Sequence, residues 1–231
     1  MVQINNDKIT LRFKFRKVGS LQYISHLDLV RTMNKIIVRS GLPLWYTEGF
    51  NPKPKMAFAA PLSIGTESEC EFMDLRLSEV VDPGLAMEKL NANMTCEMQA
   101  TEAYYPTTKF TDLKWVSYTV KIKTNGANEK LANQCELALF NDKIEILKQT
   151  KSGEAIVDIR PLIRSASVVC DDGIIRINCV LSASPDAYLN PEHVIKYLKQ
   201  SCGILSDPCL TNEYYSIMRE NAYYSDMSEF R

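Results

Sequence analysis

The sequence predicts an α+β fold built from two tandem ferredoxin-like (βαββαβ) units with antiparallel sheets. Up to residue 105, strand-like and helix-like patterns follow in the order strand, helix, strand, strand, helix, strand, and the same order can be traced again after it. The predicted boundaries are 1–105 for an N-terminal unit with a basic surface, 106–115 for a connector and 116–231 for a C-terminal unit. No residue-level repeat is visible, so the duplication depends on element order alone.

The first strand is predicted from strict alternation in residues 10–16, TLRFKFR. A two-residue period is typical of a strand with one buried face. The face predicted to be buried carries Leu11, Phe13 and Phe15. The outer face is predicted to be a row of cations, namely Arg12, Lys14 and Arg16.

A basic amphipathic helix is predicted to follow. Ser25 can cap its N-terminus, and Gly41, with Pro43 just beyond, ends it. The predicted core stripe consists of Leu27, Val30, Met33 and Ile37. A second face, at three- and four-residue spacing, carries Asp28, Arg31, Lys35 and Arg39.

The remaining elements are assigned from periodicity and from turn residues. In the first unit we predict a short strand at 43–47, a loop at 49–55, strands at 56–60 and 69–77, a helix at 82–94 and a strand at 96–105. In the second we predict a strand at 115–124, a helix at 128–140, strands or extended segments at 143–149 and 155–162, a strand at 173–183, a helix at 190–200 and a closing strand region at 209–224.

Composition narrows the class of protein. The 231 residues are 45% hydrophobic and 24% charged, which fits a globular protein. No apolar run approaches the roughly 18 residues of a membrane span, and no signal peptide is visible, so we expect a cytoplasmic protein without a membrane partner. Seven cysteines without a close C-x-x-C pair indicate neither a disulfide framework nor a zinc or iron–sulfur site. We therefore expect reduced thiols, no metal and no cofactor.

Charge is distributed unevenly along the chain. The net charge is only −1, yet the segment from Lys8 to Ala60 contains ten cations and two acids, a local balance of +8. The remaining residues therefore carry −9. This asymmetry favours a polyanionic partner for the N-terminal segment.

The segment EGFNPKPK, residues 48–55, is a candidate RNA contact. Prolines 52 and 54 should hold it extended and present Lys53 and Lys55 outward. Phe50 could stack on a base and Asn51 could hydrogen-bond one, and Tyr46 or Trp45 offers a further stacking surface. The alternative is that Phe50 belongs to the core and the lysines are merely solvated.

His26 is the candidate for chemistry. It follows the capping Ser25, and imidazole suits proton transfer to or from an RNA 2′-hydroxyl at neutral pH. The alternative is a helix-start histidine that bonds the local backbone or sits at a half-buried edge.

The acids between Glu67 and Asp74 are interpreted as pairing with neighbouring cations. No phosphate-binding glycine motif or nucleophile elbow occurs in the chain.

Residues 23–74 resemble the signature of the radical SAM-linked family, an uncharacterised bacterial group. The matching residues are Tyr23, Ser25, His26, Asp28, Arg31, Gly41, Leu42, Pro43, Tyr46, Gly49, Phe50, Asn51, Pro52, Pro54, Phe58, Gly65, Ser68, Glu71 and Asp74. Lys53 stands where the family usually has a histidine between two prolines. The resemblance implies a module found alone or attached to a radical SAM enzyme. This chain has no C-x-x-x-C-x-x-C, so any cluster would belong to a partner.

These observations favour an RNA-binding accessory module that acts with a separate radical SAM enzyme. The predicted RNA-binding residues are Arg12, Lys14, Arg16, His26, Arg31, Lys35, Arg39, Tyr46, Phe50, Asn51, Lys53 and Lys55. We expect the cations among them to be largely exposed, most of them on one continuous surface. Two alternatives stay open. One is a metal-independent endoribonuclease that uses His26, and the other is a protein–protein adaptor whose acidic second half docks a radical SAM partner.

Overall fold

The chain folds into two compact units in a mixed α+β architecture. The computed structural model describes residues 9–150, 153–207 and 212–231, although not the side chains of 149 and 150. One unit comprises residues up to Phe110 together with Arg231, and the other comprises Thr111–Phe230. Four α-helices and antiparallel strand pairs make up the described part of the chain. Lys8 and residues 209–211, to which predictions were attached, lie outside it.

The first unit contains four strands and two helices. Its elements are β1 (Ile9–Lys17), α1 (His26–Arg39), β2 (Met56–Phe58), β3 (Thr66–Leu77), α2 (Pro83–Asn91) and β4 (Met98–Tyr104). β1 pairs with both β3 and β4, and the short β2 pairs with β3, so the strands lie in the order β4-β1-β3-β2 with every pair antiparallel. The strand predicted at 43–47 is wrong, because this segment forms only isolated bridges within a loop.

Both helices of the first unit pack on the same face of its sheet. Leu11, Phe13 and Phe15 form one cluster with the buried residues of α1 and α2. Ser25 caps α1 as predicted, since its hydroxyl accepts a hydrogen bond from the Asp28 amide. The predicted core stripe is partly wrong because Leu27 is exposed. The buried residues of α1 are Leu29, Met33, Ile36 and Ile37.

The second unit contains a four-stranded sheet, a separate hairpin and two helices. Its elements are β5 (Trp115–Lys123), α3 (Glu129–Leu139), β6 (Glu145–Thr150), β7 (Gly153–Asp158), β8 (Ile163–Asp171), β9 (Ile174–Ser182), α4 (Pro191–Cys202) and β10 (Tyr214–Tyr223). The sheet has the strand order β10-β5-β9-β8, and β6 pairs with β7 in a two-stranded ribbon. β8 was missed from sequence, and the strand predicted at 155–162 ends early, at Asp158.

The sheet of the second unit has one buried and one open face. Along β5 the buried residues Val116, Tyr118, Val120 and Ile122 alternate with residues that are half-buried or exposed. The buried residues of the helices are Ala132, Cys135, Leu139, Pro191, Val194, Ile195 and Leu198. Because side chains alternate between the faces of a strand, the second set on β5 points away from this core.

No helix within the described residues is long and apolar enough to cross a membrane. The six cysteines in the described part of the chain are all free thiols, of which Cys70, Cys135 and Cys179 are buried and Cys96 is exposed.

Candidate nucleic-acid interface

Residues 44–55 form a hairpin that we call the aromatic hairpin. The Thr47 amide donates to the Lys53 carbonyl at 2.8 Å, and the Lys55 amide donates to the Trp45 carbonyl at 2.9 Å. The base of the hairpin is fixed to β3 through Arg76, whose carbonyl accepts from the Trp45 amide at 3.0 Å and whose amide donates to the Lys55 carbonyl at 2.9 Å. The segment is therefore held by backbone hydrogen bonds, and not only by its prolines.

The tip of the aromatic hairpin carries an unpacked aromatic ring. Residues 48–52 are all exposed, and Phe50 is fully exposed to solvent. Gly49 has a φ of 120°, a backbone conformation that residues with a Cβ atom rarely adopt. The turn that presents Phe50 therefore requires glycine at this position. Burying a phenylalanine side chain is worth roughly 1.5–3 kcal/mol, and this chain forgoes that stabilisation. The alternative that Phe50 belongs to the core is wrong.

A hollow of about 290 Å³ lies at the base of the aromatic hairpin. Its lining residues are Thr47, Pro54, Lys55, Met56, Ala57, Asp74 and Arg76. The carboxylate of Asp74 is already engaged by the Arg12 guanidinium at 2.7 and 2.9 Å. Lys55 and Arg76 add two cations to this lining, and the Arg76 guanidinium also donates to the Thr10 hydroxyl.

The prediction that Arg12 is exposed is wrong. Its side chain is 0% exposed, and besides the paired hydrogen bonds to Asp74 it donates to the Thr108 carbonyl at 3.1 Å. The ring of Phe110 covers it, with 4.4 Å from the guanidinium carbon to the ring centroid. Residues after β4 thus cover a position that alternation placed on the outer face. Arg12 is a structural residue, and an RNA phosphate has no access to it.

The other strand cations are also engaged within the protein. Lys14 is half-buried and forms an ion pair with Glu102 at 3.3 Å. Arg16 is half-buried and donates to the Cys96 carbonyl at 2.9 Å. Because these contacts use part of their charge and hydrogen-bonding capacity, the strand offers less to a phosphate than the sequence indicates.

The helix cations lie on the other side of the sheet from the strand cations. Arg31, Lys35 and Arg39 are exposed on α1, which packs on the face of Phe13. Arg31 also pairs with Asp28 at 3.2 Å. The prediction of one continuous basic surface is therefore wrong for these two groups. Alternation predicts which side chains lie together along one element, but packing decides where that element sits.

His26 occupies the first position of α1 and is half-buried. Its ring packs edge to face against the ring of Phe58, at the end of β2, with 5.6 Å between the ring centroids. The neighbouring polar groups bond one another, because Ser25 donates to Asp28 at 2.7 Å and Arg31 donates to Asp28 at 3.2 Å. This arrangement matches a half-buried edge histidine, and the Asp28 carboxylate is occupied by its own cap.

Sequence reasoning missed Arg76 and Thr47 as members of the site. Arg76 alternates with Leu75 and Leu77 in β3, so the two-residue period indicates that it points away from the core. The hydroxyl of Thr47 accepts from the Lys53 amide at 3.0 Å, a contact without a sequence signature. In the part of the chain that the structure describes, no group of three or more His, Cys, Asp and Glu residues could hold a metal ion.

A family model covers most of the chain and includes the aromatic hairpin. The matching family is described as "Uncharacterized protein conserved in bacteria (DUF2344)", and the match spans residues 10–191. The chain belongs to this family. A search of curated proteins finds no match.

Two solved structures are similar to this chain at low sequence identity. A Cbf5–Nop10–Gar1 complex contains a chain that is 10% identical, with a TM-score of 0.53 over 91% of this chain and 49% of that one. An archaeal box H/ACA sRNP Nop10–Cbf5 complex contains another, at 8% identity and a TM-score of 0.47 over 90% of this chain and 46% of that one. The DUF2344 chain thus spans about half the length of these structural neighbours.

Proposed function

We propose that this protein is an RNA-binding accessory module that presents RNA to a separate enzyme in the cytoplasm. The resemblance of residues 23–74 to the radical SAM-linked family makes a radical SAM enzyme the proposed partner. The observation that carries the RNA proposal is Phe50, held fully exposed at the tip of a hairpin whose base is cationic.

An exposed aromatic ring beside cations suits a single-stranded nucleic acid. Stacking of one base on an aromatic side chain contributes about 1–3 kcal/mol, and every base has a face to stack. Lys53 is exposed, while Lys55 and Arg76 are half-buried at the hollow, so phosphates can be neutralised on the side of the hairpin near its base. Asn51, exposed beside Phe50, supplies an amide for a base edge.

We also propose that both units follow the split βαββαβ arrangement. In the first unit the strand order β4-β1-β3-β2 supports this. In the second unit β10-β5-β9-β8 gives an equivalent order if the β6–β7 ribbon is an insertion after α3. The likeness to the Cbf5–Nop10–Gar1 chain supports a shared fold and carries no function.

The endoribonuclease alternative has less support than the binding module. A general base needs a reacting proton within reach and a group that orients its ring. The His26 ring contacts the apolar ring of Phe58, and the acid nearest to it in sequence, Asp28, is hydrogen-bonded to Ser25 and Arg31. The adaptor alternative shares the proposed radical SAM partner, and co-purification, described below, tests it separately from RNA binding.

The test is the affinity of the full chain for short fluorescein-labelled single-stranded RNAs, measured by anisotropy at low salt. Phe50→Ala should weaken binding by roughly 5- to 150-fold, the equivalent of one lost stacking contact. Lys53→Glu with Lys55→Glu should weaken it several-fold to about a hundredfold and reduce its salt dependence. The matched control is Lys35→Glu with Arg39→Glu on α1, which changes charge equally but should alter affinity far less.

Two results would overturn the proposal. One is wild-type protein that does not bind RNA at low salt, and the other is a Phe50→Ala variant with unchanged affinity. His26→Ala should leave affinity within about 1 kcal/mol, and His26-dependent strand scission in the same samples would favour the nuclease. The partner is tested by co-purification with radical SAM enzymes of the same bacterium, and absence of a complex would remove that part.

A further inference from the structure

The open face of the second unit's sheet, here called the outer face, points away from α3 and α4. The register places side chains of four strands on it side by side. They include Trp115, Ser117, Thr119, Lys121, Lys123, Ser165, Ser167, Arg176, Asn178, Val180, Tyr214 and Tyr223. Most are polar or aromatic, which is unusual for a surface that would bury itself against another apolar layer.

A shallow groove of about 310 Å³ runs through the middle of the outer face. Ser117, Thr119, Ser165, Ser167 and Asn178 contribute short uncharged side chains to its lining. Thr119 donates to Asn178 at 3.2 Å, and the hydroxyls of Ser117 and Tyr223 lie 3.4 Å apart. These five side chains supply uncharged donors and acceptors for ribose hydroxyls and base edges. Glu220 also lines the groove, so we place the phosphates away from it, at the cations described next.

Cations lie next to one another at one end of the outer face. Lys121 on β5 is directly opposite Arg176 on β9, and Lys123 follows two residues along the strand. Like charges directly opposite on antiparallel strands destabilise a sheet. Asp171 pairs with Arg176 at 3.2 Å and offsets one of the charges, while Lys121 and Lys123 are exposed. An unfavourable cluster of this kind is stabilised when an anion binds to it.

Aromatic rings flank the same surface. The Lys123 ammonium lies 5.8 Å from the ring centroid of Tyr214, and the Arg164 guanidinium lies 5.3 Å from that of Trp115. Tyr214 is exposed and Trp115 is half-buried. Rings paired with cations can hold a base by stacking while the cation meets a phosphate.

We infer that the outer face is a second surface for single-stranded RNA, separate from the aromatic hairpin. Phosphates would bind at Lys121 and Lys123, with ribose and base over the groove of Ser117, Thr119 and Asn178. The inference deepens the proposed RNA binding by assigning the second unit a contact of its own. It also gives the cluster of Lys121, Lys123 and Arg176 a role in the second unit.

The test uses Lys121→Glu in the full chain, with Lys130→Glu on α3 as the matched control. Glu at position 121 would face Arg176, so the fold should be at least as stable as wild type, and lost binding cannot be attributed to unfolding. Affinity for single-stranded RNA should fall by roughly 5- to 30-fold at low salt, and the salt slope should decrease by about 1. Lys130→Glu should change affinity by less than about twofold.

A second variant examines the groove without changing charge. Ser117→Ala with Thr119→Val should reduce the preference for RNA over DNA of the same sequence, because it removes partners for the 2′-hydroxyl. Equal affinity of Lys121→Glu and Lys130→Glu for RNA would overturn the inference.

The two RNA sites can fail separately. Loss of binding in Lys121→Glu with full binding in Phe50→Ala would support the outer face and refute the aromatic hairpin. The reverse result would refute the outer face and leave the hairpin in place. Wild-type protein that binds no RNA would refute both.

Discussion

Arg12→Met provides the sharpest test of how the first unit is held together. The substitution leaves the Asp74 carboxylate without the paired hydrogen bonds at 2.7 and 2.9 Å and removes the cation that lies over Phe110. Breaking a buried ion pair by removing one partner costs about 3–5 kcal/mol. The Asp74 side chain is 18% exposed and keeps some hydration, and methionine restores part of the packing. We therefore expect a loss of about 2–4 kcal/mol, a large share of the usual 5–15 kcal/mol of a domain.

The assay is urea unfolding followed by the fluorescence of one tryptophan in each unit. The chain has two tryptophans, Trp45 in the first unit and Trp115 in the second. In a Trp115→Phe background the signal reports the first unit alone, which avoids assuming that the whole chain unfolds in one step. Arg31→Met is the control, since it breaks an exposed pair and should leave the midpoint unchanged within error.

The double variant Arg12→Met with Asp74→Asn decides whether the buried pair explains the loss. Removing both charges leaves no unpaired ion, so stability should recover to within about 1–2 kcal/mol of wild type. A change below about 1 kcal/mol in Arg12→Met, or a double variant less stable than the single one, would refute the reasoning.

Two further predictions concern the second unit and the thiols. Hydrogen bonds from the Thr124 hydroxyl, which has the largest effect, and from two backbone amides lower the pKa of Glu213. The ionised carboxylate therefore stabilises the fold fully at neutral pH. This stabilisation is lost as the pH falls below the usual glutamate pKa of about 4.3 and through the lowered pKa of the folded state. In a Trp45→Phe background the urea midpoint should therefore fall more between pH 7 and pH 3.5 in wild type than in Glu213→Gln, and equal falls would contradict this. Burial raises the pKa of the Cys179 thiol to about 12, whereas Cys96 is exposed. With Ellman's reagent at pH 8, Cys96→Ser should remove one fast-reacting thiol, and Cys179→Ser should leave the fast amplitude unchanged.

Much of the element order follows from local sequence. Alternation in residues 10–16 predicted β1, and the cap at Ser25 with Gly41 beyond Arg39 predicted both ends of α1. β8 was missed because its segment, IRSASVVCD, shows no clean alternation of apolar and polar residues. Its pairing with β9 along Ser165–Asp171 makes it a strand, and pairing between distant segments leaves little trace in composition.

Part of the candidate site follows from local sequence and part depends on the tertiary fold. The motif at residues 48–55 predicted an exposed loop with Phe50, Asn51, Lys53 and Lys55, because proline restricts the backbone and glycine permits tight turns. Phe50, Asn51 and Lys53 are exposed, whereas the prediction is wrong for Lys55, which is half-buried. The hollow with Arg76 depends on the hairpin folding onto β3, which local sequence does not show.

The sequence by itself determined the alternation and the caps, since each depends on neighbours within a few residues, and the excess of cations before residue 60, which is a count along the chain. Only the tertiary structure decided which charges meet solvent. It buried Arg12 against Asp74, separated the strand cations from those of α1 by the thickness of a sheet, and placed Lys121 opposite Arg176. The physical reason is that electrostatic interactions depend on distance and burial in three dimensions, and a charge count along the chain contains neither quantity.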